Sequence, residues 1–226
     1  DVAPNARAAA VRFAFWRDVL SAASAKGQRR DGGAGDAERA ELLSHPVAAC
    51  LVAVQGRMHL PRLWLSRLLD ARADDAAQPR QPRSVAALSD YAEATQSSVL
   101  YLTLEACGVR DAAAEHAASH VGKAAGLVLA LRGTAHHAAR RRLYLPVDVC
   151  AKHGLSSEDV FRLEKAPPEA RDAMADAALE VATAAKQHLE HARELAPGLP
   201  AAARRALLPA AAVAAHLSAL EGVNFD

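Results

Sequence analysis

The sequence predicts an all-α fold, a single compact helical domain, and three observations predict it. Half of the 226 residues are apolar (51%) but only 4% are aromatic, and alanine supplies much of the apolar share. Alanine is the best helix former and a poor strand former. No segment alternates apolar and polar residues with the period of a strand, whereas several repeat apolar residues with the period of a helix. A length of 226 residues suits one domain with a well-buried core.

The elements follow in order. Phe13, Trp16 and Leu20 share one helical face over 5–25, with Val11, Phe15 and Val19 beside it. "GQRRDGGAGD" (27–36) is expected to be a polar loop, and a helix is expected to restart near Pro46 with Val47, Cys50, Leu51 and Val54 as its stripe. Pro61 opens a helix carrying Trp64, Leu65, Leu68 and Leu69. Two prolines in "DDAAQPRQPR" (74–83) break the pattern, and Ser84 then caps a long helix striped by Val85, Leu88, Ala92, Thr95, Val99, Leu102 and Ala106. Gly108 stops that helix, and Asp111 caps the next, which runs to Arg132 and Gly133. A basic loop follows, then short helices ending at Gly154 and capped at Ser156 or Ser157. Pro167 and Pro168 open a helix of about 28 residues with Met174, Ala178, Val181 and Leu189 inward, and a last one, interrupted by Pro209, ends near Gly222. About eight helices are expected, with 84–107 and 111–132 as a central antiparallel pair.

Composition narrows the function classes. Lys and Arg number 27 against 26 Asp and Glu, so no global charge favours nucleic acid. Basic residues do cluster at Arg140-Arg141-Arg142 and Arg204-Arg205. Cys50, Cys107 and Cys150 are odd in number and widely spaced, which argues against a disulfide framework or zinc motif and favours a reducing compartment. No apolar run reaches the ~18–20 residues that span a bilayer, so a soluble or peripheral protein is expected. The chain starts at Asp1 without a signal-peptide pattern and reads as a mature form or fragment.

The chemistry concentrates in "GKAAGLVLALRGTAHHAARRRLYLPVDVC" (122–150), which holds an apolar helix, an arginine, two histidines, an arginine run and "LYLP". The frame resembles the squalene/phytoene synthase family, whose enzymes show Q-x-x-N-x-x-R-D-x-x-x-D on a helix before a basic loop ending in Y-L-P. At those places this chain has Gly126, Leu129, Arg132, Gly133 and His137, then "ARRRLYLP" (139–146). In the enzymes, aspartates at i and i+4 hold Mg²⁺ against a substrate diphosphate. The resemblance is closer to a non-enzymatic branch of the family, the mitochondrial complex I assembly factor 6 proteins. "YAEATQSSVLYLTLEACGVRD" (91–111), "EHAASHVGKAAGLVLALRGTAHHAARRRLYLPVDVC" (115–150) and "HGLSSEDVFR" (153–162) carry it, with weaker matches in "HPVAACLVAV" (45–54) and "GVNFD" (222–226).

The resemblance implies a fold of the isoprenoid synthase type over 1–226, truncated at the N-terminus, where the enzymes keep their first aspartate cluster. It implies a mitochondrial pseudoenzyme in the matrix, or peripheral to the inner membrane. No catalytic residue, metal or cofactor is expected, and the partners implied are a complex I intermediate or another large mitochondrial assembly. Two other readings stay open: a permanent structural subunit of a respiratory complex or mitochondrial ribosome, and an active prenyl transferase that condenses isoprenoid diphosphates.

Individual residues carry paired readings. Arg132, Arg140, Arg141, Arg142 and Tyr144 form the candidate site for a partner or anion, including an anionic lipid headgroup or RNA; the plainer reading is that they cover helix ends. Arg132, at the end of an apolar helix, is expected to be partly buried against an acid. Asp70 and Asp74 have DxxxD spacing but read as a solvated helix end. His116 and His120 have the i, i+4 spacing of zinc ligands, with no third ligand in view. Gly122 and Gly126 form GxxxG, expected to serve close helix packing.

Overall fold

The computed structural model describes residues 6–24 and 33–225, and these form thirteen α-helices and no strand. They fall into two compact units, Asp1–Gln78 and Pro79–Asp226. The expected count of about eight is corrected upward. The surplus comes from short helices at Thr134–Ala138 and Ala201–Ala206, from a π-helical turn that splits the expected helix of 84–107 in two, and from a helix over residues partly expected to be loop.

The first unit holds α1 (Ala6–Ser24), α2 (Gly33–Ser44), α3 (Pro46–Arg57) and α4 (Arg62–Ala77). Helix α1 buries Ala9, Val19, Leu20 and Ala23, and its Phe15 and Trp16 rings pack on His45 at centroid distances of 5.6 and 5.3 Å. Helix α2 occupies residues whose first part was expected to be loop, because the helix formers from Ala37 to Leu43 outweigh the glycines before them. The rest of that expected loop, 27–32, lies outside the described residues. Helix α3 starts at Pro46 as expected, but its buried residue is Ala48, while Val47 and Cys50 are exposed. The stripe therefore lies one residue round from the expected one.

The second unit is built on α7 (Ala112–Arg132), which packs against α11 (Pro168–Leu195) on one side and against α5 (Val85–Ala92), a π-helical turn (Glu93–Ser97) and α6 (Ser98–Ala106) on another. The Ser84 and Asp111 caps form as expected, accepting from the amides of Ala87 and Ala114 at 3.1 and 2.7 Å. Gly108, at φ +71°, turns the chain between them. The connection from α7 to α11 contains α8 (Thr134–Ala138), α9 (Val147–Lys152) and α10 (Ser157–Phe161), the last closed by a Ser156–Asp159 capping box. Helices α12 (Ala201–Ala206) and α13 (Pro209–Gly222) complete the unit. Leu88, Leu127, Leu145, Val149, Val181 and Leu189 are among its fully buried core residues.

The π turn alters the expected stripe. Leu88, Ala92 and Thr95 are buried as anticipated, but Val99 and Ala106 are exposed, and Ser97, Ser98, Tyr101 and Leu104 are buried instead. A π turn adds one residue to the helix and rotates everything beyond it to a new face. Thr95 Oγ1 donates to the carbonyl of Tyr91 at 2.8 Å within the turn.

Candidate functional site

Close approach of α7 to the π turn sets the geometry. A Cβ on Gly122 would lie 2.2 Å from Ser97 Oγ and 2.5 Å from both Ser97 Cα and N. A Cβ on Gly126 would lie 2.2 Å from Ala92 Cβ. As numbers rise on α7 they fall on its neighbour, so the pair is antiparallel, and GxxxG serves packing as the spacing predicts. The position where the enzyme frame carries glutamine is thus closed by a helix contact.

Glu93 on the π turn gathers the polar groups of this interface. Its carboxylate accepts from Tyr101 Oη at 2.6 Å and Ser119 Oγ at 2.7 Å, and Lys123 Nζ lies 3.8 Å away. Burial pushes the carboxyl up, but hydrogen bonds from Tyr101, Ser119 and Ser97 with the Lys123 charge outweigh it and leave its pKa below the usual value.

At the far end of α7, the expected site takes shape differently from its sequence reading. Gly133 ends the helix, and a Cβ there would lie 2.8 Å from His137 Cδ2 and 3.0 Å from its Nε2. The imidazole of His137 therefore covers Gly133 and stacks edge-on against Tyr144 at 4.6 Å. Tyr144 also stacks on Tyr91 at 6.2 Å, and Arg142 lies 5.8 Å over its ring while donating to its hydroxyl at 3.1 Å. These two positions supply no carboxylate oxygen, the ligand that Mg²⁺ requires, so a metal–diphosphate site of the enzyme type does not fit here.

The arginine run is the end of α8. Arg142 N–H donates to His137 O at 3.0 Å and Arg141 N–H to Ala138 O at 2.8 Å, the bond pair of a Schellman turn, with Arg141 at φ +54°. Each guanidinium of the run has a partner within the chain. Arg140 donates to the His136 carbonyl at 3.0 Å. Arg141 pairs with Glu158 and lies 4.7 Å over the Phe161 ring. Arg142 and Tyr144 are half-buried, and Arg140 and Arg141 are exposed.

Arg132 corrects an expectation: it is exposed rather than partly buried, and no carboxylate pairs with it among the described residues. Its charge acts on His216, whose pKa is lowered by burial first and by Arg132 second. The last turn of α7 faces outward at this position, so the apolar stripe of the helix does not cover it. Arg132 and the Arg140–Arg142 turn thus both decorate C-terminal helix ends, where positive charge is favoured by the helix dipole.

Other candidates resolve individually. Asp70 accepts from Arg17 Nη2 at 3.0 Å and Nε at 3.2 Å across α1 and α4, an exposed ion pair in the middle of α4 rather than the solvated helix end expected. Cys50, Cys107 and Cys150 are all free thiols. His116 and His120 do have further imidazoles beside them, contrary to expectation. His120 Nε2 is 3.2 Å from His116 Nε2, its Nδ1 is 2.9 Å from His188 Nδ1, and the His191 ring lies 4.3 Å from the His120 ring. Burial first, then the His188, His191 and His116 imidazoles and the Lys123 charge, hold the pKa of His120 down at about 4. His188 and His191 escaped notice because the sequence places α11 seventy residues away with nothing to set its register against α7. The available signal was their own i, i+3 spacing on an alanine-rich helix.

The fold matches that of a squalene synthase from Alicyclobacillus acidocaldarius, with a TM-score of 0.68 at 19% identity, covering 94% of this chain and 81% of the other. It also matches a dehydrosqualene synthase, with a TM-score of 0.67 at 19% identity, covering 96% and 78%. The rat protein named NADH dehydrogenase (ubiquinone) complex I, assembly factor 6, is 44% identical over 184 residues, covering 80% of this chain and 53% of its own length. The human protein of that name is 41% identical over the same span and coverage. The homolog of Drosophila melanogaster is 33% identical over 217 residues, 96% of this chain and 60% of that protein. The chain spans about half the length of the curated relatives it matches. A family model for squalene/phytoene synthases matches residues 1–226, and with the all-helical fold shared with two synthases, the chain belongs to the squalene/phytoene synthase family.

Proposed function

We propose that the protein is a catalytically silent member of its family that works in mitochondria, supporting the assembly of respiratory complex I through protein contacts. The observation that carries this reading is the Gly133–His137 pair. Where the enzyme frame has two aspartates, this chain has a glycine and the imidazole that fills the space above it. The pair is complementary in shape, so restoring one aspartate at 133 would meet the ring of His137. Gly126, closed against Ala92, supports the same reading. The names of the relatives support the assembly role, at 44% identity for the rat protein and 41% for the human one.

Loss of metal-assisted charge stabilisation removes several kcal/mol from a diphosphate ionisation. Incubated with Mg²⁺ and farnesyl or geranylgeranyl diphosphate, the protein is expected to form no squalene- or phytoene-type product. Turnover above a boiled control would overturn the pseudoenzyme reading.

The basic turn is proposed as a docking contact for an acidic protein surface, with Arg132, Arg140 and Arg141 as its exposed guanidinium groups and the half-buried Arg142 and Tyr144 fixing its shape. Replacing Arg140, Arg141 and Arg142 together with alanine is expected to weaken partner capture at low salt, with the difference shrinking at high salt. Exposed ion pairs contribute only about 0–1 kcal/mol each, and the half-buried Arg142 adds about 0.5–1.5 kcal/mol through its bond to Tyr144, so the triple variant should melt only slightly below wild type. Arg132→Ala, at an exposed position, should do the same. Normal capture by the triple variant at low salt would reduce the turn to solvated surface.

A further inference from the structure

Histidines that stand as two separate pairs in the sequence meet in one place. His116 and His120 lie four residues apart on α7, and His188 and His191 three apart on α11. Antiparallel packing of the two helices sets the pairs face to face, His116 beside His191 and His120 beside His188. One ring nitrogen from each of His116, His120 and His191 lies within 4.8 Å of the others. The His116 and His120 Nε2 atoms are 3.2 Å apart. Nitrogens bound ~2.0–2.1 Å from a tetrahedral Zn²⁺ stand ~3.3–3.4 Å from one another. The α7 pair already has that spacing, and the exposed His191 side chain needs only a torsional adjustment to join it.

We propose that His116, His120 and His191 bind a divalent transition-metal ion of the Zn²⁺ class, with His188 and Glu194 holding the ligand rings. Metal-bound histidines use their second ring nitrogen to bond an acceptor that fixes the ring. His120 has that arrangement, with Nε2 toward His116 and Nδ1 at 2.9 Å from His188 Nδ1. Glu194 Oε2 lies 3.4 Å from His191 Nδ1 and gives that ring a carboxylate neighbour. An all-imidazole set selects Zn²⁺, Co²⁺, Ni²⁺ or Cu²⁺ over Mg²⁺. Lys123 is the nearby positive charge, and the Glu93 carboxylate at 3.8 Å offsets it. With His116 and His191 exposed, a fourth coordination position opens to solvent.

This place is distinct from the Gly133–Tyr144 end of α7, where Gly133 is ~20 Å along the helix from the His116–His120 turn. A bound ion would join α7 to α11 in the manner of a staple. The inference does not rest on the assembly-factor reading and stands or falls without it.

The experiment is titration of the chelator-stripped full chain with Co²⁺ and with Zn²⁺, read by visible absorption and by melting. One equivalent of Co²⁺ is expected to give the intense visible bands of a four-coordinate site. Saturating Zn²⁺ should raise Tm by several degrees through binding to the folded state, and Mg²⁺ should not. His116→Gln combined with His191→Gln should weaken binding at least ~100-fold, and Glu194→Gln by ~10-fold. His216→Gln, away from the cluster, should bind like wild type. Circular dichroism of the metal-free variants shows whether they fold, and both glutamines replace exposed side chains. Absence of saturable one-to-one binding to wild type overturns the proposal and leaves a hydrogen-bonded chain of imidazoles. Equal affinity in the double variant overturns it as well.

Discussion

Gly122→Ala is expected to lower stability by about 3 kcal/mol or more, and Tm by about 6–12 °C, more than any exposed substitution in the chain. The added Cβ would sit 2.5 Å from Ser97 Cα and N, which are backbone atoms of the π turn and cannot rotate aside. The two helices would have to separate, opening the interface that buries Ser97 and orders Glu93. Gly126→Ala makes a useful contrast. There the nearest atom is Ala92 Cβ at 2.2 Å, a side-chain atom that can be removed. Adding Ala92→Gly should therefore recover much of the loss in Gly126→Ala, whereas Ser97→Gly should recover little in Gly122→Ala. A Gly122→Ala protein melting within 2 °C of wild type, an allowance set by the ~1 kcal/mol it represents, would contradict the close approach.

The second large effect is expected at Glu93. Glu93→Ala leaves the Tyr101 and Ser119 hydroxyls without their acceptor and Lys123 without its counter-charge, all at a half-buried interface. Orphaned donors cost about 1–3 kcal/mol each, so a loss of about 2–6 kcal/mol is expected. Glu93→Gln keeps an acceptor oxygen and should lose less. The pH dependence has a definite sign. The folded-state pKa of Glu93 lies below its unfolded value near 4.5, so its contribution is present above that pH and is lost as pH falls through the folded value. Tyr101, Ser119, Ser97, Lys123 and His188 are the groups that face or act on it. In urea melts over pH 3–6, wild type should lose stability toward acid more steeply than Glu93→Gln. Parallel curves for the two proteins would contradict the network.

Local signals made most of the fold legible and left the long-range partnerships dark. Ser84, Asp111, Gly108 and Ser156 are caps and stops whose chemistry acts within four residues, and each stands where the sequence puts it. Gly122 and Gly126 announced a close approach because nothing else explains two glycines at helix spacing in an apolar run. The π turn was invisible, since a 3.6-residue period has no mark for one inserted residue, and it displaced Val99 and Ala106 from the face expected of them. Arg132 looked buried from its apolar neighbours, but a last-turn residue follows the end of the helix rather than its stripe. The histidine cluster needed the register of α7 against α11, which depends on packing among alanines that look alike in any register.

The basic turn shows the same limit at the site itself. Its residues were legible as a group, from three adjacent arginines and a tyrosine two residues on. Their arrangement was not, because it depends on Arg141 adopting φ +54° and on Glu158 and Phe161 arriving from α10. The run that reads as an exposed cationic patch is in large part engaged within the chain.

We infer that this synthase fold supports complex I assembly through protein contacts. The most direct test of this role is the level of assembled complex I, measured on native gels of mitochondria from cells of the source organism lacking the protein and from the same cells after re-expression. Fully assembled complex I is expected to fall without the protein and to return with it, and the tagged protein to be captured in substoichiometric amounts with incomplete intermediates. Complex I at normal levels in its absence would contradict the account, and one-to-one recovery with the mature complex would make the protein a permanent subunit instead.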